Sequence, residues 1–209
     1  MAGKVETRRE ALRKTLIDLA EAKVTQGGLA AVKARELARE AGCALGAIYN
    51  VFGDLHDIVI AVNGRTFGRL GQAVETSLKD CAHDSPTARM IAMSEAYLDF
   101  AEGNRNAWRA LFEVQTVPSV EAPAWYHDQM KRLFGLIETP VRDCFPDMPE
   151  DDVVLMARAL FSSVHGIIAL GLDNQVSEVS RADMTRMIAL VIGNVTGNRQ
   201  FMNAVQNIS

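Results

Sequence analysis

What this sequence has little of narrows it early. It carries six prolines and three cysteines in 209 residues, and aromatics make up only 6% of it. Val-, Ile- and Thr-rich runs with strict apolar/polar alternation are nearly missing, which argues against a sheet. Cys43, Cys81 and Cys144 are an odd number, widely spaced, with no C-x-x-C pair. Such a set suits small side chains in a reducing cytoplasm better than a disulfide frame. The opening residues contain no apolar signal segment, so a cytoplasmic location is expected.

The usual marks of catalysis are scarce too. His83-Asp84 and His127-Asp128 are adjacent pairs. They lack the helix-compatible spacing by which two ligands on one face grip a metal, so no metal site is expected. No glycine-rich phosphate loop follows a strand, and no nucleophile elbow occurs. Glu150, Asp151 and Asp152 are better placed as first-turn residues, where a helix dipole favours negative charge. The expectation is a non-enzyme with no catalytic residue and no cofactor, an enzyme being the rival that measured turnover would revive.

An overall positive charge is also missing. The net charge of −4 excludes a wholly basic nucleic-acid coat. The charge is uneven, however: residues 1–60 hold 9 Lys/Arg against 8 Asp/Glu, and residues 61–209 hold 13 against 18. "KVETRREALRK" gathers Lys4, Arg8, Arg9, Arg13 and Lys14, so one end can attract anions. One long apolar run stands out, "VVLMARALFSSVHGIIALGL" from Val153 to Leu172. It approaches the length of a membrane span. Arg158, Ser162, Ser163 and His165 interrupt it, and an Arg near mid-bilayer is costly. A helix buried in a bundle or an oligomer interface is expected instead, with no membrane partner.

What is present is helix, almost throughout. The first is expected over about Glu6–Gln26, where Leu12, Leu16, Leu19, Ala20 and Val24 form a stripe and Gly27-Gly28 ends it. Short helices follow over Ala34–Ala41 and Leu45–Val51, separated by Gly42. Asp54 caps a fourth that reaches the late 70s, and Ser85 with Pro86 opens a fifth to about Glu102. A sixth holds Trp108, Leu111 and Phe112; a seventh spans Ala124–Cys144, weakened at Pro140. The eighth covers Glu150–Leu172, and Ser180-x-x-Asp183 introduces a ninth extending to about Ala204.

The second and third helices form a pair worth isolating. Leu37, Ala38 and Ala41 face inward from one, Ile48 and Phe52 from the other. Ala38 is small where crossed helices approach, and Gly42 takes a turn that would cost a side chain roughly 1 kcal/mol or more. Two helices joined by so short a glycine turn make a helix-turn-helix. A helix pinned behind and bare in front can enter a major groove, and its free amides favour phosphate.

"VKARELAREAGCALGAIYNVFGDLHDIVIAV" resembles the DNA-binding domain of the tetracycline-repressor (TetR) family through Leu37-Ala38, Ala41-Gly42, Gly46, Tyr49 and Phe52. "NRNAWRALFE" and "SSVHGIIAL" are similar to the Trp and His-Gly landmarks of the family's WHG-type C-terminal domain. The resemblance implies an all-α chain of about nine helices. A helix-turn-helix domain over 1–53 would be joined to an effector-binding and dimerisation domain over 54–209. Double-stranded DNA would meet Lys33, Arg35, Ala44, Leu45, Gly46, Ala47, Tyr49 and Asn50. Two departures stand out: Ala44 replaces a common Ser or Thr, and Leu55 a common Lys.

Met90, Met93, Tyr97, Trp108, Phe112, Trp125, Met130, Phe134 and Phe161 are candidates to line a pocket, with His165 as its polar group. The family implies that such a pocket takes a small effector, here a hydrophobic or weakly polar one. The eighth and ninth helices would pair with a second copy, with Gly166, Leu170, Gly193 and Gly197 at the homodimer contact. An interaction module that kept the fold and lost DNA affinity is the alternative that Ala44 and Leu55 leave open.

Overall fold

The computed structural model describes residues 2–113, 122–173 and 179–197, with no side-chain description for residues 2–4. Among these residues there are nine α-helices and no strand. They are α1 (Ala2–Gly27), α2 (Ala34–Glu40), α3 (Leu45–Val51), α4 (Leu55–Asp80) and α5 (Pro86–Gly103), then α6 (Arg105–Glu113), α7 (Ala124–Cys144), α8 (Glu150–Gly171) and α9 (Arg181–Gly197). The all-α expectation holds.

The chain divides into two compact units. The first is Met1–Arg69 with Gly103–Gln129; the second is Leu70–Glu102 with Met130–Ser209. By packing, then, α6 and the start of α7 join the helix-turn-helix instead of the remainder of the chain. The residues that hold α6 there are Ala107 and Ala110, both buried in one core with Leu16, Ala20, Val24, Leu37, Ile48 and Ile58.

Local chemistry explains most helix ends. Gly28 stops α1 with a φ of 69°, a left-handed conformation that a side chain disfavours. A single 3₁₀ turn, Leu29–Ala31, then bridges to α2, where no element was expected. The Asp54 carboxylate accepts the Asp57 amide at 2.9 Å, and the Ser85 hydroxyl accepts the Ala88 amide at 3.2 Å. At α9 the Ser180 hydroxyl accepts the Asp183 amide at 3.1 Å and donates to the Asp183 carboxylate at 2.7 Å. The start of α1 differs from expectation, at Ala2 and not Glu6. The expected end of α9 near Ala204 lies outside the described residues.

In the second unit α8 and α9 pack against each other. α8 buries Val153, Ala157, Leu160, Val164 and Ile168, and α9 buries Met184, Ile188 and Ile192. Gly171 lies so close to the Met184 side chain that a Cβ there would collide with it. Among single described helices, α8 alone is long and apolar enough to cross a membrane, and just 28% of its apolar stretch is buried. The expected burial of this helix is therefore met on one face only.

Candidate nucleic-acid interface

The short helices are placed from behind. Leu37 and Ile48 are fully buried, and Ala38 and Phe52 are each 5% exposed. Gly42, at φ 65°, makes the turn, which is closed by the Cys43 amide donating to the Ala38 carbonyl at 3.0 Å. A helix of two turns is too short to be stable alone, so this burial is what holds α3 in place. Fully burying a side chain such as Ile48 stabilises by about 1.5–3 kcal/mol.

The front of α3 is bare. Tyr49 is 49% exposed and Leu45 38%, while Ala44, Gly46 and Asn50 are also exposed and Ala47 is half-buried. Tyr49 is therefore not a core aromatic. A Cβ at Gly46 would meet nothing within 4 Å, so the surface there is flat and open. Lys33 and Arg35 are exposed at the start of α2, with the Lys33 ammonium 4.0 Å from Glu36. All eight residues expected at DNA thus belong to one helix pair, and seven of them are exposed.

Both departures from the family pattern have structural consequences. Ala44 holds the extended backbone of an N-cap (φ −69°, ψ 148°), but its methyl group caps nothing. Leu55 is partly buried and packs with Ala41 and Cys43 against the core. Its position serves packing and puts no cation at the head of α4. The neighbouring His56 does not substitute, because its Nε2 is buried without a hydrogen-bond partner.

Several groups that stiffen this unit were not legible in the sequence. The Arg13 guanidinium lies 5.2 Å above the Phe52 ring. Lys23 donates to Glu40 at 2.8 Å, joining α1 to α2. Arg65 bridges Asp18 at 2.6 Å and Glu21 at 2.8 Å, and Arg69 also donates to Glu21. Burial works to raise the Glu21 carboxyl, yet the hydrogen bonds from Arg69 and Arg65 prevail and hold it below the usual carboxylate range. Asn63, fully buried on α4, donates to the Ala110 carbonyl at 3.0 Å. Most of these partners are more than forty residues apart, beyond any periodicity signal.

The expected pocket residues fall into both units. In the first, Trp108 is buried and sets its ring edge to Phe112 at 5.7 Å, whereas Phe112 is 45% exposed. Trp125, 43% exposed, lies over Gly64, where a Cβ would come within 2.5 Å of its ring. In the second, the Tyr97 hydroxyl and His165 Nδ1 share a hydrogen bond of 2.8 Å. Phe161 stacks on His165 with centroids 5.6 Å apart, Phe134 meets Phe161 at 5.3 Å, and Arg158 covers Phe134 at 5.6 Å. Burial pushes the His165 imidazole below its ordinary value, favouring the neutral ring. Met90 and Met93 are buried, and Met130 is exposed.

Several known proteins are similar to this chain. BetI of Yersinia pestis (strain Pestoides F), an HTH-type transcriptional regulator, is 25% identical over 161 residues, covering 74% of this chain and 78% of that relative. A Rhodococcus sp. RHA1 protein of unknown function shares the fold, with a TM-score of 0.70 at 22% identity over 88% of this chain and 93% of the other. The Bacillus subtilis regulator FadR, solved in complex with stearoyl-CoA, gives a TM-score of 0.64 at 15% identity over 88% and 96%. Residues 90–195, half of the chain, match the family model described as Tetracyclin repressor-like, C-terminal domain. The protein is thus a member of the TetR family of transcriptional regulators.

Proposed function

We propose that this regulator is a homodimeric repressor, released from a roughly palindromic operator by a small hydrophobic or weakly polar effector. The observation that carries the DNA half is α3, whose rear is buried at Ile48 while Leu45, Tyr49 and Asn50 are bare. In this reading Tyr49 hydrogen-bonds a phosphate, Lys33 and Arg35 face the backbone, and Asn50 pairs with adenine while Leu45 meets a thymine methyl. Ala44, Gly46 and Ala47 let the helix come close.

Dimerisation is supported by an apolar face with no partner in the single chain. Leu155 and Leu170 on α8, and Met187 and Leu190 on α9, are all exposed. Gly166, Gly193 and Gly197 have open space where a Cβ would project, which suits close backbone approach by a second copy. A twofold pair presents two recognition helices to two half-sites. The Tyr97–Phe161–His165 group supplies aromatic surface with one neutral polar ring, which suits an effector of the kind proposed. That FadR was solved with stearoyl-CoA supports a largely apolar ligand. The effector acts by favouring a dimer whose two α3 helices no longer match successive grooves. The site of action is the cytoplasm.

The test is retardation of the protein's own upstream fragment, with selection from random duplexes to find the site and its symmetry. Wild-type protein should retard the fragment in a sequence-dependent way, and Tyr49→Ala should abolish the shift. No sequence-dependent retardation even at low salt would reject the repressor. It would favour a protein-interaction module, to which uncapped Ala44 and core-packed Leu55 lend some support.

A further inference from the structure

α1 is longer than its packing requires. Leu16, Ile17, Ala20 and Val24 bury its inner part, whereas all seven side chains from Val5 to Ala11 are exposed. Seven residues of helix extend about 10 Å. This stretch removes little apolar surface from water, so hydrophobic burial does not explain it. What it carries is charge: Arg8 and Arg9, with Arg13 and Lys14 just inside, against Glu6 and Glu10. Glu10 lies 4.0 Å from Arg13. No described carboxylate pairs with Arg8, Arg9 or Lys14.

The register gives this stretch a direction. Residues 9, 13, 17, 20 and 24 share one helix face. On that face Ile17, Ala20 and Val24 are buried, and Arg13 covers Phe52, the residue that follows α3. Arg9 lies one turn further out, about 6 Å along the axis, on the side where α3 ends. Tyr49 and Asn50 lie in the last turn of α3, directly before the Phe52 that Arg13 covers.

Resting on the DNA-binding reading, we propose that the outer part of α1 is a second backbone-binding element. Arg8 and Arg9 contact duplex phosphates beside the groove that takes α3, and provide the positive charge that Leu55 does not. Each such contact releases condensed counterions, which leaves a readable signature.

The experiment is fluorescence anisotropy of a labelled random-sequence duplex across a KCl series. Wild type is compared with Arg9→Gln, Arg8→Gln/Arg9→Gln, Arg9→Lys and a control, Lys131→Gln. The slope of log K against log [salt] should become shallower by about 0.9 for Arg9→Gln and by about twice that for the double variant. Arg9→Lys should keep the wild-type slope, as should Lys131→Gln, and helicity by circular dichroism should be unchanged throughout. An unchanged slope in the double variant would mean a merely solvated helix end and overturn the proposal. An equal change in Lys131→Gln would reduce the effect to net charge and overturn it as well. Wild type that fails to bind at low salt would instead reject DNA binding itself, a distinct result that takes this proposal with it.

Discussion

α3 and α8 are both held from one side and bare on the other, yet their bare sides suit different partners. α3 offers small residues, one phenol and one amide: Gly46, Ala47, Tyr49 and Asn50, with a single aliphatic, Leu45. Such groups can hydrogen-bond phosphates and base edges while leaving the surface flat enough to enter a groove. α8 offers Leu155 at 61% exposure and Leu170 at 55%, and α9 adds Met187 and Leu190. Aliphatic groups gain from contact only when another apolar surface excludes water from them. Exposure alone therefore says little about function; the chemistry of what is exposed separates a nucleic-acid face from a protein face.

The strongest way to break this comparison is to attack what holds α3. Ile48→Ala leaves a cavity under the helix and should lower unfolding stability by about 2–5 kcal/mol in urea titration. Leu45→Ala, on the bare side, should stay within about 0.5 kcal/mol. Equal losses would mean that α3 has no distinct front. On α8 and α9, Leu170→Glu/Leu190→Glu should turn a dimer into a monomer by sedimentation while helicity is retained. An unchanged sedimentation coefficient would remove the protein-face assignment.

Smaller effects sharpen the contrast. Ala44→Ser restores a side-chain acceptor at the head of α3 and should add about 1 kcal/mol of stability. It should tighten DNA binding as well, whereas a stability gain without tighter binding would separate the cap from the interface. The smallest expected effect is electrostatic. Arg69 and Arg65 hold the Glu21 carboxyl below its ordinary 4.5, so its stabilising contribution is complete above that pH and is lost as pH falls through the lower folded value. The stability gap between wild type and Glu21→Gln should thus be present at neutral pH and close below about 4.5. A gap that persists unchanged into acid would show that Glu21 acts through packing and not charge.

The candidate interface was legible because its signals are local. The bounds of α3 and α7, the Gly42 turn and the caps at Asp54, Ser85 and Ser180 all depend on residues a few positions apart. The 3₁₀ turn at Leu29–Ala31 gave no signal, since three residues set no period. The early start of α1 was missed because its first turns have no buried stripe to mark them. The proposed pocket was least legible. Apolar character shows that Trp108, Phe112 and Trp125 seek partners, but not that those partners lie in the same unit as the helix-turn-helix. Tyr97 and His165 are 68 residues apart, so nothing in the sequence announces their hydrogen bond.

Taken alone, the sequence determined the helical class, the glycine turn between α2 and α3, and which residues that helix pair carries. Each follows from backbone preference and from periodicity within a single helix. Only the tertiary structure decided that Tyr49 stands in the open, that Leu55 is spent on packing, and that Arg13 covers Phe52. It also decided which face of α8 is covered by α9. The physical reason is that burial is a relation between elements brought together by folding. A residue's own chemistry states what it can do, and its neighbours in space settle which of those things it does.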